Sequence, residues 1–275
     1  MRVSAENVSS GGVRAVVTRR VLLAAGGLTL LAGCASAPAA AFTDAAHVAD
    51  PPGGPTGSGR TPSSRAKPSR PGPAPARRRA DEKPMFYVDD GPKAIALTID
   101  DGPSPVYTPQ ILRLLAKYRV TATFSMIGIE VEAHPGVARE VARHGHLIAN
   151  HTWTHPDLVF LPRAAVADEM NRATAAIHEV TGRVPALFRA PYGAWSPAVL
   201  RQCARTGMTP LDWSVDPRDW SRPGVASIVS NIMDNTRTGS IILEHDGGGD
   251  RSETVAALKV VLPRLLAAGY HFRTP

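Results

Sequence analysis

The residues able to do chemistry fall in five short clusters. The first, Thr98-Ile99-Asp100-Asp101-Gly102-Pro103, ends an apolar run in two adjacent carboxylates and a Gly-Pro break. Side chains alternate at a strand end, so neighbouring acids point apart and can do different jobs, one holding a metal while the other takes a proton. Taken alone, Asp-Gly-Pro reads equally well as a turn. The second, His151-Thr152-Trp153-Thr154-His155, sets two histidines at i and i+4, which share a face if the segment is helical. Two imidazoles and one carboxylate make a three-ligand metal site with an open position for water. With nine histidines in the chain, one such spacing can arise by chance. The pair gains weight only beside the acid cluster.

The third cluster is Arg189-Ala190-Pro191-Tyr192-Gly193. An arginine at a strand end can hold a carboxylate ionised through bidentate hydrogen bonds, or simply make a surface ion pair. The fourth, Asp216-Pro217-Arg218-Asp219-Trp220, puts a second acidic pair beside an aromatic wall, or forms a solvated loop. In the fifth, Leu243-Glu244-His245 runs into Asp246-Gly247-Gly248-Gly249-Asp250. A histidine at a strand end can act as a general acid. The glycine run lacks the Lys-Ser/Thr of a phosphate-binding loop.

Elements to position these clusters are visible as short apolar runs alternating with amphipathic ones. Strands are expected at Ala94–Ile99, Ala122–Ile127, Leu147–Ala149, Ala186–Phe188, Met208–Asp212, Ser240–Leu243 and Tyr270–Phe272. Helices are expected near Thr108–Tyr118, Pro135–His144, Arg163–Thr181, Pro197–Thr206, Val225–Asn235 and Glu253–Ala268. Pro135 and Gly145, and Pro197 and Gly207, suit helix starts and stops. Repeated strand–helix units imply parallel strands with right-handed crossovers, and about seven of them suit a barrel better than an open sheet. In such barrels the site lies at the strand C-terminal ends, which is where the clusters fall.

In order and spacing the five clusters resemble the polysaccharide deacetylases, carbohydrate esterase family 4 (the NodB homology domain). The resemblance runs from about Lys93 to Phe272. TIDDGP is similar to the family's TFDDGP, with Ile99 in place of Phe. HTWTH is similar to its His-Ser/Thr-x-x-His motif, RAPYG to Arg-x-Pro-Tyr, DPRDW to Asp-x-x-Asp-Trp and LEH to Leu-x-His. The resemblance implies a distorted (β/α)7 barrel that hydrolyses N-acetyl groups. Asp101, His151 and His155 would bind a divalent metal, usually zinc, with Co2+ or Mn2+ as alternatives. Asp100 would be the base, held by Arg189, and His245 the acid, oriented by Asp219. The backbone N–H of Tyr192 would stabilise the oxyanion, and Trp220 and Leu243 would form a slot for the acetyl methyl. The substrate would be an N-acetylglucosamine polymer, with peptidoglycan first and chitin oligomers second. An O-acetyl esterase acting on a xylan-like polymer would use the same machinery. Two histidines and a carboxylate also describe a non-haem iron oxygenase, although Asp100 and Arg189 fit hydrolysis better. A non-catalytic wall-binding module would keep the fold and release no acetate.

The first third of the chain reads differently. Arg19-Arg20 and an apolar run from Val21 to Ala32 precede Leu31-Ala32-Gly33-Cys34. The run is too short to span a bilayer, and the whole describes a signal peptide over 1–33 whose end resembles the lipobox of lipoproteins, with Cys34 lipidated. Thr18–Leu23 also resembles a twin-arginine export signal. Residues 34–83, rich in Pro, Ala, Gly, Ser and Arg, read as a linker unable to bury a core. Residues 84–275 read as the catalytic domain. The chain would therefore be exported and anchored to the membrane, facing the cell wall. The net charge of +7 lies wholly in the first third, because residues 84–275 hold 19 basic and 19 acidic residues. A neutral domain lacks the footprint of a nucleic-acid binder. The second cysteine, Cys203, follows Leu200 by three places in a helical pattern and is expected to be a buried, inert thiol.

Overall fold

The computed structural model describes residues 83–275. The expected signal peptide and lipobox, with Cys34, lie outside them, as does all of the expected linker except Lys83. Among the described residues seven strands and seven α-helices alternate, except that two helices follow one another between the second and third strands. Strand β1 (Ala94–Asp100) is buried at all seven positions. This is the mark of a parallel strand covered on both faces, and it explains why its sequence is an apolar run rather than an alternation. Strands β2 (Thr123–Met126), β3 (Leu147–Asn150), β4 (Leu187–Phe188), β5 (Thr209–Pro210) and β6 (Ile241–His245) form a parallel path in the order β5-β4-β3-β2-β1-β6. Strand β7 (His271–Phe272) pairs with the start of β1.

The path does not close with a seventh full ladder. Between β5 and β6 the seam is stitched by single bridges, Met85 to Leu211, Tyr87 to Ser240 and Val215 to Ile242. The outcome is a distorted (β/α)7 barrel, as the family resemblance implies. Sequence patterning misses the stitching because a lone bridge needs no alternation of apolar residues.

Helices α1 (Thr108–Tyr118), α3 (Pro135–Arg143), α4 (Arg163–Thr181), α5 (Pro197–Thr206), α6 (Val225–Asn235) and α7 (Ser252–Ala267) lie within a residue of expectation. Their boundaries follow local chemistry. Pro197 starts α5, the Ser196 side chain accepts from the Val199 N–H, and Gly207 ends the helix at φ 75°. A short helix, α2 (Gly128–Ala133), was not expected. Six residues are too few to show a helical period. Strand β5 is two residues long rather than the expected five; its last bond to β4 runs from the Leu211 N–H to the Phe188 carbonyl, and on its other side it meets only the single Met85 bridge. The main core joins β1, β2 and β6 to α1, α3 and α7. Cys203 is buried in a second cluster with Phe188, Met170 and Val199, the packing expected of an inert thiol. Among the described residues no helix is long and apolar enough to cross a membrane.

Candidate active site

All five clusters meet at the C-terminal ends of the strands. Asp100, Asp101, His151, His155, Tyr192, Trp220, Leu243 and His245 line one cleft of about 330 Å³. Arg189 lies beneath it, fully buried, and Asp219 stands behind His245. Every residue expected at the site is therefore in or directly behind it.

Asp100 ends β1, and Asp101 follows in the left-handed region at φ 73°. That turn separates the two carboxylates. Asp100 Oδ1 accepts from Arg189 Nη1 at 2.8 Å, while Asp101 faces the histidines. The same Nη1 donates to Thr98 Oγ1 at 2.7 Å, and Nη2 donates to the Asp212 carbonyl at 2.8 Å. The Arg189 guanidinium also lies 5.6 Å from the ring centre of Trp213. A cation so enclosed has little freedom, so Asp100 is held in one orientation. The turn packs tightly: a Cβ on Gly102 would overlap the Asp246 carboxylate, and one on Gly247 would overlap the Asp101 carbonyl. Only glycine allows these loops to touch.

The His151–His155 pair is not helical, so the condition for a shared helix face is not met. The segment is a loop, with Thr152 and His155 at φ 68° and 61°. Two left-handed residues reverse the chain and bring the rings to 4.9 Å, which i, i+4 spacing on a helix would have done differently. The loop is pinned by residues that the motif reading passed over. Asn150 Oδ1 accepts from the Thr152 N–H, and Glu169 on α4 accepts from the N–H groups of Trp153 and Thr154. The Trp153 ring lies over Gly128, where a Cβ would overlap it, and under Arg172 at 4.3 Å. Asn150 was detectable as the polar residue ending an apolar strand; Glu169, distant in sequence, was not.

Asp101, His151 and His155 place one ligand atom each within 4.8 Å of one another. His151 Nδ1 lies 2.8 Å from the Arg189 carbonyl. A carbonyl only accepts, so Nδ1 carries the proton and Nε2 presents its lone pair. Asp101 Oδ1 is buried without a hydrogen-bond partner, 3.5 Å from His151 Nε2 and 3.2 Å from His155 Nε2. An orphaned carboxylate oxygen facing two imidazole nitrogens fits a divalent cation. Burial alone would raise the Asp101 carboxyl. The histidines around it, His151 first, then His245 and His155, outweigh burial and hold Asp101 below the usual carboxylate range. Burial and His151 push His155 down, which favours the neutral, ligating form.

On the opposite wall His245 ends β6. Its Nδ1 lies 2.7 Å from Asp219 Oδ1, and its backbone N–H donates to Asp219 Oδ2 at 2.9 Å. Thr254 on α7 donates to the same Oδ2 at 2.7 Å. Burial disfavours the charged imidazole, but the hydrogen bond and charge of Asp219, with Asp101 and Asp100, push His245 up to about 9. Buried Arg251 donates to the carbonyls of Gly247 and Gly248 and, at 3.3 Å, of Trp220, tying the glycine loop to the cleft wall. Tyr192, at φ 61° and 68% exposed, and Trp220, 46% exposed, form open aromatic faces at the cleft, where Leu243 is buried. Trp213 and Asp216 also line the cleft and had no assigned role. Trp213 lay outside every motif, while Asp216 opens the fourth.

The arrangement can therefore hold a cation, keep one carboxylate beside it as an acceptor, and keep one imidazolium across from it as a donor. Comparison with known proteins gives the family. A family model described as polysaccharide deacetylase matches residues 87–211. A chitooligosaccharide deacetylase of Rhizobium leguminosarum bv. trifolii is 41% identical over 211 residues, covering 72% of this chain and 98% of the relative. A peptidoglycan-N-acetylglucosamine deacetylase of Bacillus cereus is 43% identical over 206 residues, covering 71% and 94%. Among solved structures, a peptidoglycan N-acetylglucosamine deacetylase bound to 4-naphthalen-1-yl-N-oxidanyl-benzamide superposes with a TM-score of 0.67 at 32% identity, over 69% of this chain and 89% of that one. With its fold, its five clusters and relatives matched over nearly their whole length, this chain belongs to the polysaccharide deacetylase family.

Proposed function

We propose that this protein hydrolyses N-acetyl groups from an N-acetylglucosamine polymer, with peptidoglycan as the first substrate and chitin oligomers as the second. The observation that carries the reading is one cleft holding two buried, hydrogen-bonded acid–base pairs, Asp100–Arg189 and Asp219–His245, on either side of the Asp101–His151–His155 cluster. Relatives bearing both substrate names match at similar identity. The basic first third of the chain favours an anionic envelope as the place of work. In this reading the chain is exported, lipidated at Cys34 and tethered by residues 34–83, and residues 84–275 act at the wall.

The three ligands would hold a divalent cation, with zinc preferred for two nitrogens and one carboxylate. Such an ion lowers the pKa of water and polarises a carbonyl oxygen. Asp100 takes the proton of the attacking water, and Arg189 keeps its carboxylate aimed. The backbone N–H of Tyr192 faces the developing oxyanion. Trp220 and Leu243 enclose the acetyl methyl, and the Tyr192 and Trp220 faces receive sugar rings. His245 gives its proton to the leaving amine, and Asp219 keeps that imidazole charged and oriented. Acetate and a free amine leave.

The acid role has a pH signature. Because Asp219 raises His245, the imidazolium persists through neutral pH and is lost as pH rises through about 9. A bound dication would pull this value back down. In Asp219→Asn the largest raising cause is gone, so the alkaline limb of kcat should move to lower pH and kcat should fall by about 10–100-fold. A pH–rate profile checks it; an unmoved limb would remove His245 as the titrating acid.

The defining experiment is acetate release by the purified protein from peptidoglycan, chitin oligomers and acetylated xylan, with chelator and with added zinc. Chelator-sensitive acetate from an N-acetyl polymer is expected. Acetate from xylan alone would make the protein an O-acetyl esterase.

A further inference from the structure

Glu244 is the middle residue of the Leu-Glu-His cluster and has no part in the chemistry described above. It is completely buried in β6. Strand alternation places it on the face opposite its neighbours Leu243 and His245, both of which line the cleft. As an ionised carboxylate it would be stranded, because neither oxygen has a hydrogen-bond donor among the described residues. A neutral acid could instead donate to Asp219, whose carboxylate lies beside Glu244: its Oδ2 accepts from the N–H of the 244–245 peptide at 2.9 Å.

The bookkeeping at Asp219 points the same way. An ionised carboxylate offers about four lone-pair sites. Three are taken, by the His245 N–H, His245 Nδ1 and Thr254 Oγ1. A proton on Glu244 supplies a fourth donor. Two carboxyl groups in contact share one proton more readily than they bear two charges. Burial and the charges of Asp219 and Asp216 raise Glu244 well above the usual carboxylate range. Asp219, with its donors, is held below it, although burial alone would raise it. The proton therefore belongs to Glu244.

We propose that Glu244 is a positioning residue: its neutral carboxyl donates a hydrogen bond to Asp219, completing a Glu244–Asp219–His245 chain that fixes the imidazole over the cleft. The inference rests on the reading of His245 as the acid. A donor on the far side of Asp219 resists rotation of that carboxylate, so Oδ1 stays on His245 Nδ1. It also shares the charge of Asp219 and so tunes how tightly His245 keeps its proton.

The test uses the full chain and two variants. Glu244→Leu fills the space without a donor; Glu244→Gln keeps one, because the amide NH2 can replace the O–H. In E244L kcat should fall about tenfold with KM within about twofold, and the alkaline limb of the pH profile should move. In E244Q most of the lost kcat and the wild-type limb should return. Infrared spectra give a readout independent of turnover. Above the range near pH 7 where buried Asp246 titrates, the wild type should keep a neutral carboxylic carbonyl band that E244Q lacks. The proposal is overturned if that band is missing from the wild type, if folded E244L keeps the wild-type kcat and pH profile, or if E244Q is as impaired as E244L. Should E244L not fold, the band and the E244Q profile decide. His245→Ala run alongside separates the two readings: wild-type turnover there removes the acid role of His245, while the infrared result still reports on the Glu244 proton.

Discussion

Asp100→Asn is expected to fold, to bind its metal and to lose activity by about 10³-fold, or about 4 kcal/mol in the barrier. The substitution is nearly isosteric, and the amide oxygen can still accept from Arg189 Nη1. What disappears is the ability to take a proton. Stability should suffer less than for most broken buried ion pairs, which cost about 3–5 kcal/mol when one partner is removed. Arg189 keeps its bonds to Thr98 Oγ1 and the Asp212 carbonyl, and Trp213 still covers it. A loss of about 1–3 kcal/mol is expected, in line with one weakened charge-assisted hydrogen bond. Turnover, metal content and thermal midpoint on one preparation check all three parts. Wild-type turnover would remove Asp100 as the base.

His151→Ala is expected to lose both metal and activity. His151 is the most buried side chain of the three ligands, and its tautomer is set by the Arg189 carbonyl. Removing it leaves Asp101 and His155 alone, and His155 is already the more exposed ring. The loss of affinity should exceed the roughly 10–100-fold cost of altering a residue that merely supports a ligand. Metal analysis should show about one equivalent in the wild type and background in the variant. A second readout is thermal: zinc at a hundredfold excess over Kd stabilises a one-site protein by about 2.7 kcal/mol, and that shift should vanish in the variant. Unchanged metal content would overturn the ligand set.

Much of the site was legible because its chemistry is written in contiguous residues. Asp100-Asp101, His151 with His155, Arg189, Asp219 and His245 each stand in or beside a short motif, and each motif follows an apolar run that marks a strand end. Five such motifs at strand ends lead to one rim by the geometry of parallel strands alone. The residues that went unassigned act from elsewhere. Glu169 reaches the histidine loop from α4, and Trp213 enters the cleft from the chain after β5. Arg251 ties the glycine loop to the Trp220 carbonyl. None has a local pattern, because its partner is set by packing.

The sequence by itself determined the alternation of strands and helices, the parallel class of the sheet and the identity of the side chains that meet at the rim. Local propensity, apolar runs and helix punctuation act over a few residues, so they are readable from a few residues. The tertiary structure alone decided the rest. It bent the histidine motif into a loop with two left-handed residues, a conformation that the i, i+4 spacing left open. It closed the barrel seam with single bridges at Met85, Tyr87 and Val215. It also buried Glu244 without a donor beside the Asp219 carboxylate, surroundings that raise its pKa and favour the neutral acid. Protonation state and loop conformation depend on the dielectric and the partners a group meets after folding, and those belong to the assembled core rather than to the neighbours in the chain.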